Sequence, residues 1–184
     1  AIGALALDAN TEGDRSVAVG YSALGSQNPA SNADMNNTAV GFFAGAGITT
    51  GIKNTLIGSI AGDAITTADN NTAVGFSALT ANTTGAGNVG VGTNALAANT
   101  TVDNNTAVGF DSLASNTTGT PNTAVGKGAL NANTTGSNNT GLGRAALGNN
   151  TTADNNTAVG HYALLTNTTG TNNVAVGGAS LDAN

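Results

Sequence analysis

Aliphatic and small residues recur along this chain at a fixed interval of seventeen positions, most visibly in the phrase NTAVG at Asn71 to Gly75. We number each unit from this asparagine. The fourth position is always Val, Ile or Leu, the fifth is always Gly, and the eighth is always Ala or Ser. Four extra residues fall near 27–33. The chain is therefore a tandem repeat.

The period and the residue types predict β-structure. Seventeen residues are too few for a pair of packed helices, and Asn, Thr, Gly and Val favour turns and strands. We predict an all-β parallel β-solenoid, or β-roll, of eleven 17-residue coils with one short strand in each NTAVG phrase. The chain 1–184 is expected to be one repeat domain and a fragment of a longer chain.

Two kinds of column are predicted to hold the coils together. The fifth-position glycines fit a bend that needs a positive φ or a close backbone approach. The asparagines at the first and twelfth positions would stack into side-chain amide ladders. The predicted structural-turn glycines are Gly41, Gly58, Gly75, Gly92, Gly109, Gly126, Gly143, Gly160 and Gly177.

A compensating exchange links the ninth and twelfth positions. The ninth is Leu in every unit except two, where Gly45 and Gly62 stand, and in those two units the twelfth position is Ile48 and Ile65. We infer that the two positions share one buried space, since Ile would fill what the missing Leu leaves empty.

Strand alternation suggests that these chains self-associate. The second and fourth positions share one face, which we assign to the core of the coil, and the third points the other way. The third position is small, although a water-facing strand would accept Lys or Glu there, so we expect another subunit to cover it. The predicted assembly is a homotrimer of parallel chains in register. The predicted subunit-packing residues are Ala73, Gly90, Ala107, Ala124, Gly141 and Ala158.

The variable sixth position is where surface recognition is expected. Stacked cations there would suit an anionic sugar or phosphate, and aromatic rings would suit sugar faces. The alternatives are a solvated column of charges and aromatic packing at a subunit boundary. The candidate contact residues are Tyr21, Phe42, Phe76, Phe110, Lys127, Arg144 and His161.

Composition and charge exclude several functions. A net charge of -6 argues against nucleic-acid binding, and no apolar window is long enough for membrane insertion in this segment. With no Cys and a single His, no catalytic set is predicted, nor any cofactor or metal. Asp69, Asp103 and Asp154 share one repeat position but lie in coils too far apart to form a catalytic carboxylate pair. We expect them to bond the backbone of their own turns rather than bind calcium.

The repeated phrases resemble a known class of fibre. SVAVG at 16–20, NVAVG at 173–177 and the NTAVG copies resemble the SVAIG-type head repeats of trimeric, YadA-like autotransporter adhesins. NTAVGFSALTANTTG at 71–85 is similar to repeats of bacteriophage tail fibres. The resemblance implies a trimeric left-handed β-roll that forms the shaft or head of a fibre, located outside the cell, on its surface or on a virion.

The sequence therefore predicts a structural or adhesive fibre segment that contacts a host-surface glycan or receptor through its variable positions. Bacterial adhesin and phage tail fibre remain alternatives. A second function is ice binding, because paired threonines recur on a rod with few charges. These pairs lie at 83–84, 100–101, 117–118, 134–135, 151–152 and 168–169.

Overall fold

The computed structural model describes residues 1–182, and within them all regular secondary structure is β. Each strand has two or three residues, and a glycine directly follows each of the ten three-residue strands. The strands are β1 Gly13–Asp14, β2 Val17–Val19, β3 Ala33–Asp34, β4 Thr38–Val40, β5 Thr55–Ile57, β6 Thr72–Val74, β7 Val89–Val91, β8 Thr106–Val108, β9 Thr123–Val125, β10 Thr140–Leu142, β11 Thr157–Val159 and β12 Val174–Val176.

Ten of the strands, β2 and β4 to β12, form one parallel sheet in chain order. Each strand pairs with the same phrase of the next unit, so that Thr123 lies opposite Thr140 and Val125 opposite Leu142. Strands β1 and β3 form a small parallel sheet of their own. The predicted β-solenoid is thus confirmed, with about ten turns.

The four extra residues lengthen the second coil, where Gln27 and Pro29 are buried and Asn28 and residues 30–32 are exposed. Gly13 pairs with Ala33, an offset of 20 positions, and the full offset of 21 is reached where Val17 pairs with Thr38. Arg15 Nη1 lies 2.7 Å from Asp34 Oδ2. Both of these charged side chains are mostly exposed, so the ion pair contributes little to stability. After the insertion, the strands from β4 onward pair at the regular interval of seventeen residues.

The core is formed by the third, eighth and ninth positions of each coil. Ala107, Ser112 and Leu113 are fully buried in one coil, and Ala124, Ala129 and Leu130 in the next. Coils only one short strand wide leave little interior volume, which explains why two of the three positions are Ala, Gly or Ser in most units.

This arrangement corrects the predicted subunit-packing residues. The third-position side chains are buried in the core of their own chain, because the strand turns that face inward and the fourth position outward. The residues that were predicted to pack against another subunit, and that instead lie in the core of their own chain, are Ala73, Gly90, Ala107, Ala124, Gly141 and Ala158. Strand alternation was identified correctly, but the two faces were assigned the wrong way round.

The inward third position also explains the exchange between Leu and Ile. A Cβ added at Gly62 would lie 2.8 Å from both Ile65 Cδ1 and Leu56 Cδ2, and one at Gly45 would lie 2.6 Å from Leu56 Cδ1. The predicted shared space is therefore present. Leu56, the one large third-position residue among β2 and β4–β12, fills part of it for both coils.

The two asparagine columns are buried and hydrogen-bonded differently. At the twelfth position the amides form the predicted ladder, with Asn133 Nδ2 donating to Asn116 Oδ1 at 3.0 Å. At the first position the contact is mainly with backbone: Asn122 N–H donates to Asn105 Oδ1 at 2.8 Å, and Asn122 Nδ2 donates to the Gly136 carbonyl at 2.8 Å. Within residues 1–182, no buried side-chain nitrogen or oxygen lacks a partner.

The shared space makes a prediction about Ile65. Ile65→Asn alone should lower the free energy of unfolding by at least about 2 kcal/mol, through lost burial. Gly62→Leu alone should also destabilise, by about 1–3 kcal/mol through overpacking. Combined, they should be less harmful than their sum, because the unit then has the same pair as the following coil, Leu79 and Asn82. Chemical denaturation measures the free energy of unfolding of the two single variants and the double variant.

The backbone permits this exchange, since φ is +55° at Gly62 and 53° at Leu79, the leucine at the same position of the next coil. As a control, Ile65→Asn combined with Leu130→Ala, four coils away, should be additive. Additivity of the Gly62 and Ile65 changes would contradict a shared space.

A matched pair of neighbours tests the asparagine ladder. Asn150 is buried, donates to Asn133 Oδ1 at 2.9 Å and accepts from Asn167 Nδ2 at 3.0 Å, whereas Asn149 is exposed. Asn150→Ala should cost about 1–3 kcal/mol of unfolding free energy, because it leaves buried groups without partners. Asn149→Ala should change it by less than about 0.5 kcal/mol. Equal effects in denaturation would contradict the ladder.

Candidate ligand-contact surface

The fifth-position glycines determine where the variable sixth side chain leaves each coil. All nine predicted turn glycines have φ between +125° and +141°. A Cβ at Gly109 would lie 2.6 Å from the carbonyl carbon and oxygen of Gly126 in the next coil. Only glycine fits this backbone contact. The chain therefore bends at the same point in every coil, and the sixth residues stack in one column.

The candidate contact residues belong to this column, and the structure places their side chains on the outer surface of the solenoid. Tyr21, Phe42, Phe76 and Phe110 are each about half exposed, and the three basic side chains that follow are also exposed. The basic residues are Lys127, Arg144 and His161. The column changes from aromatic to basic along the rod.

The aromatic residues at the start of the column pack on one another. The Tyr21 and Phe42 rings are stacked with centroids 5.7 Å apart, and Phe43 meets Phe42 edge-on at 4.6 Å. Phe76 and Phe110 take part in no such ring pair within residues 1–182. About half of each side chain is exposed, and at Phe110 the Lys127 ammonium lies 5.5 Å from the ring centroid, so a ligand there would share the ring with that cation.

Each cation of the column with a long side chain lies over an aromatic ring. Lys127 Nζ is 5.5 Å from the centroid of Phe110, and Arg144 Cζ is 5.2 Å from that of Tyr162. Arg144 Nη1 is also 3.4 Å from His161 Nε2. The predicted row of basic groups is present, and it is held by rings on the same surface.

A shallow cleft of about 280 Å³ opens beside Phe110 and crosses four coils. Its floor is made of small residues, Gly128, Ala145 and Gly148. Seventh-position side chains elsewhere include Phe43 and Tyr162, and Gly128 is the one glycine at that position. The cleft exists because small residues at the seventh and tenth positions meet in adjacent coils.

Polar groups line the rim of the cleft. Asp111 Oδ1 accepts from Asn94 Nδ2 at 2.9 Å, and Asn131 Nδ2 donates to the Asp111 carbonyl at 3.0 Å. Asn149 and Lys127 also line the cleft, and its large apolar lining residues are Phe110 and Leu165. Of these residues the sequence analysis identified only Phe110 and Lys127. The sequence feature that could have pointed to the other residues is Gly128, the one glycine at the seventh repeat position.

The aspartates that share a repeat position are structural. Asp69 Oδ1 accepts the Ile52 N–H at 2.8 Å, and Asp103 and Asp154 make the same bond to the preceding coil at 2.7 Å. They therefore bond the neighbouring coil, whereas we expected bonds within their own turns. No group of three or more His, Cys, Asp or Glu suited to a metal occurs in residues 1–182.

Comparisons with family models, curated proteins and solved structures found no match to this chain. Among the residues that the structure describes, no helix is long and apolar enough to span a membrane.

Proposed function

We propose that this chain is a segment of an adhesive fibre, its shaft or its head, on a bacterial surface or a phage particle. In this proposal parallel copies of the chain associate side by side in register as a homotrimer. The resemblance of the repeated phrases to adhesin heads and tail fibres supports it, and so does the exposed outer face of the ten-stranded sheet.

The outer face of the sheet is the observation that carries the proposal. Its fourth-position column is Val, Ile or Leu in every coil, and Val40, Ile57 and Val125 remain 36%, 40% and 39% exposed. The second position beside it is Thr or Val. A continuous apolar stripe of this length on one chain is typical of an interaction surface.

The repeat favours identical chains as the occupants of that face. The stripe presents the same residue types once per coil, so a second copy aligned in register would meet equivalent contacts along its whole length. With 8% charged residues and one sign of net charge, little charge complementarity is available to select a different partner. Self-association therefore fits this surface better than a single unrelated partner.

The mass in solution tests the assembly. The unaltered chain should sediment at three times its 17.6 kDa mass. Val108→Lys combined with Val125→Lys should reduce this to the mass of one chain, because the assembly would bury unpaired ammonium groups. Circular dichroism should keep its β signal, since neither side chain belongs to the chain's own core.

Thr118→Lys with Thr135→Lys is the matched control. It adds the same charge to the same two coils on the exposed threonine column, and it should leave the trimer intact. A single-chain mass for the unaltered protein would overturn the proposed trimer, and an intact trimer in the valine variant would exclude this face as the interface.

Ice binding is the second function because one threonine column, which includes Thr84, Thr101 and Thr118, is exposed. The first threonine of each pair forms a second column, whose hydroxyls bond to the next coil. Thr83 Oγ1 donates to the Thr100 carbonyl at 3.1 Å, and Thr117 Oγ1 donates to the Thr134 carbonyl at 3.0 Å. Bonds between coils thus engage hydroxyls that a two-column ice-binding face would present. This observation supports the fibre over ice binding.

We therefore expect no thermal hysteresis from micromolar protein in a nanolitre osmometer. Hysteresis that is present in the unaltered chain and lost in the Thr118→Lys, Thr135→Lys variant would instead favour ice binding.

A further inference from the structure

We infer that the cleft beside Phe110 binds a neutral pyranose unit of a glycan. The inference rests on the proposed function, because the cleft would be the place where the fibre contacts its target surface. It goes further by naming one site among the repeats and one class of ligand.

The size of the cleft suits one or two sugar rings. Sites for drug-sized ligands enclose roughly 300–1,000 Å³, and this cleft encloses about 280 Å³. The cleft is open above Gly128, where an added Cβ would have no atom within 4 Å, whereas one at Gly148 would meet Leu165 Cδ1 at 3.0 Å. A pyranose ring can therefore lie over Gly128, beside Phe110, without moving the backbone.

The mixture of apolar and polar groups matches a sugar ring. The face of an aromatic ring carries negative potential and attracts the C–H groups on the apolar face of a pyranose. Phe110 lines the cleft, and because Lys127 Nζ lies 5.5 Å from the centroid of its ring, a sugar would stack on the part of the ring that the ammonium leaves open. Around it, the Asp111 carboxylate, the Asn131 and Asn149 amides and the Lys127 ammonium supply acceptors and donors for hydroxyl groups.

Hydrogen bonds already present orient the rim. Asn94 holds Asp111 Oδ1, and within residues 1–182 no hydrogen bond reaches Asp111 Oδ2. Asn131 donates its Nδ2 to the Asp111 carbonyl, which fixes the direction of its amide plane. The rim is therefore partly preorganised, which reduces the entropic cost of binding.

Charge argues for a neutral ligand. One carboxylate and one ammonium line the cleft, so their charges cancel locally, and the chain as a whole carries -6. Within the cleft an anionic sugar or a phosphate would meet the Asp111 carboxylate, and Arg144 and His161, the other basic residues of the column, do not line the cleft. The earlier expectation of an anionic ligand for Lys127 is therefore replaced, at this cleft, by a neutral one.

The site is local although the chain is repetitive. Phe76 stands at the same repeat position and is also about half exposed, but the next coil continues with Thr93 and Asn94 where the cleft has Lys127 and Gly128. Phe76 therefore provides an exposed aromatic ring, but Asn94 stands where the cleft has Gly128, so no open floor lies beside it. It is the matched control for Phe110.

Saturation-transfer NMR with the methyl glycosides of neutral hexoses and N-acetylhexosamines tests the inference. At least one glycoside should bind saturably at millimolar concentration. Phe110→Ala should weaken that binding at least tenfold, and Gly128→Tyr should abolish it by filling the floor. Phe76→Ala and Ala179→Tyr, the second an exposed seventh-position residue outside the cleft, should leave binding unchanged.

Gly128→Tyr suits the backbone, since φ is +67° at Gly128 and 61° at Tyr162, a tyrosine at the same position. Retained β-sheet circular dichroism would confirm that each variant folds. The inference is overturned if no neutral glycoside binds, if Gly128→Tyr leaves binding intact, or if glucuronate or inorganic phosphate binds more tightly than every neutral glycoside.

Sedimentation of the same samples separates this inference from the fibre proposal. Glycoside binding by a protein of single-chain mass would retain the site and reject the trimer. A trimer that binds no glycoside would retain the assembly and reject the site.

Discussion

The whole solenoid depends on buried asparagine side chains that satisfy backbone groups between successive coils. Each coil contains turns whose N–H and C=O groups have no partner in a regular strand, and such groups are costly when buried. The amide of Asn122 accepts from its neighbour in one direction and donates to the Gly136 carbonyl across its own coil. One residue type therefore fixes both the coil-to-coil register and the shape of the turn, which accounts for the asparagine content better than surface polarity does.

The sequence predicted the fold class, the period, the glycine bend and the space shared by Leu and Ile, because these follow from spacing and volume. It assigned the two strand faces the wrong way round. In a coil this narrow the larger Val and Ile lie outside and the smaller Ala inside, the reverse of an ordinary sheet. Leu56 was the clue, since a large residue at a small position makes sense only beside the gaps at Gly45 and Gly62.

The candidate site was predicted only in part, for a physical reason. Repeat positions show which residues share a column, and so they placed Phe110 and Lys127 on one surface. A cleft, however, depends on what is missing from several neighbouring columns at once. Gly128 and Gly148 stand at different positions of adjacent coils, and their combined effect is visible only when the coils are stacked.

This separation of roles allows a rigid rod to carry a local site. The interior uses the first, third, eighth, ninth and twelfth positions, and the cleft uses the sixth, seventh, tenth and eleventh, so its residues vary without disturbing the core. Copies aligned in register would present identical clefts at the same height around the rod. Several weak contacts would then act together, and their combined avidity can exceed that of one site by about 10²–10⁴. In the proposed assembly, a shallow cleft would therefore suffice for attachment to a surface that displays many copies of one sugar.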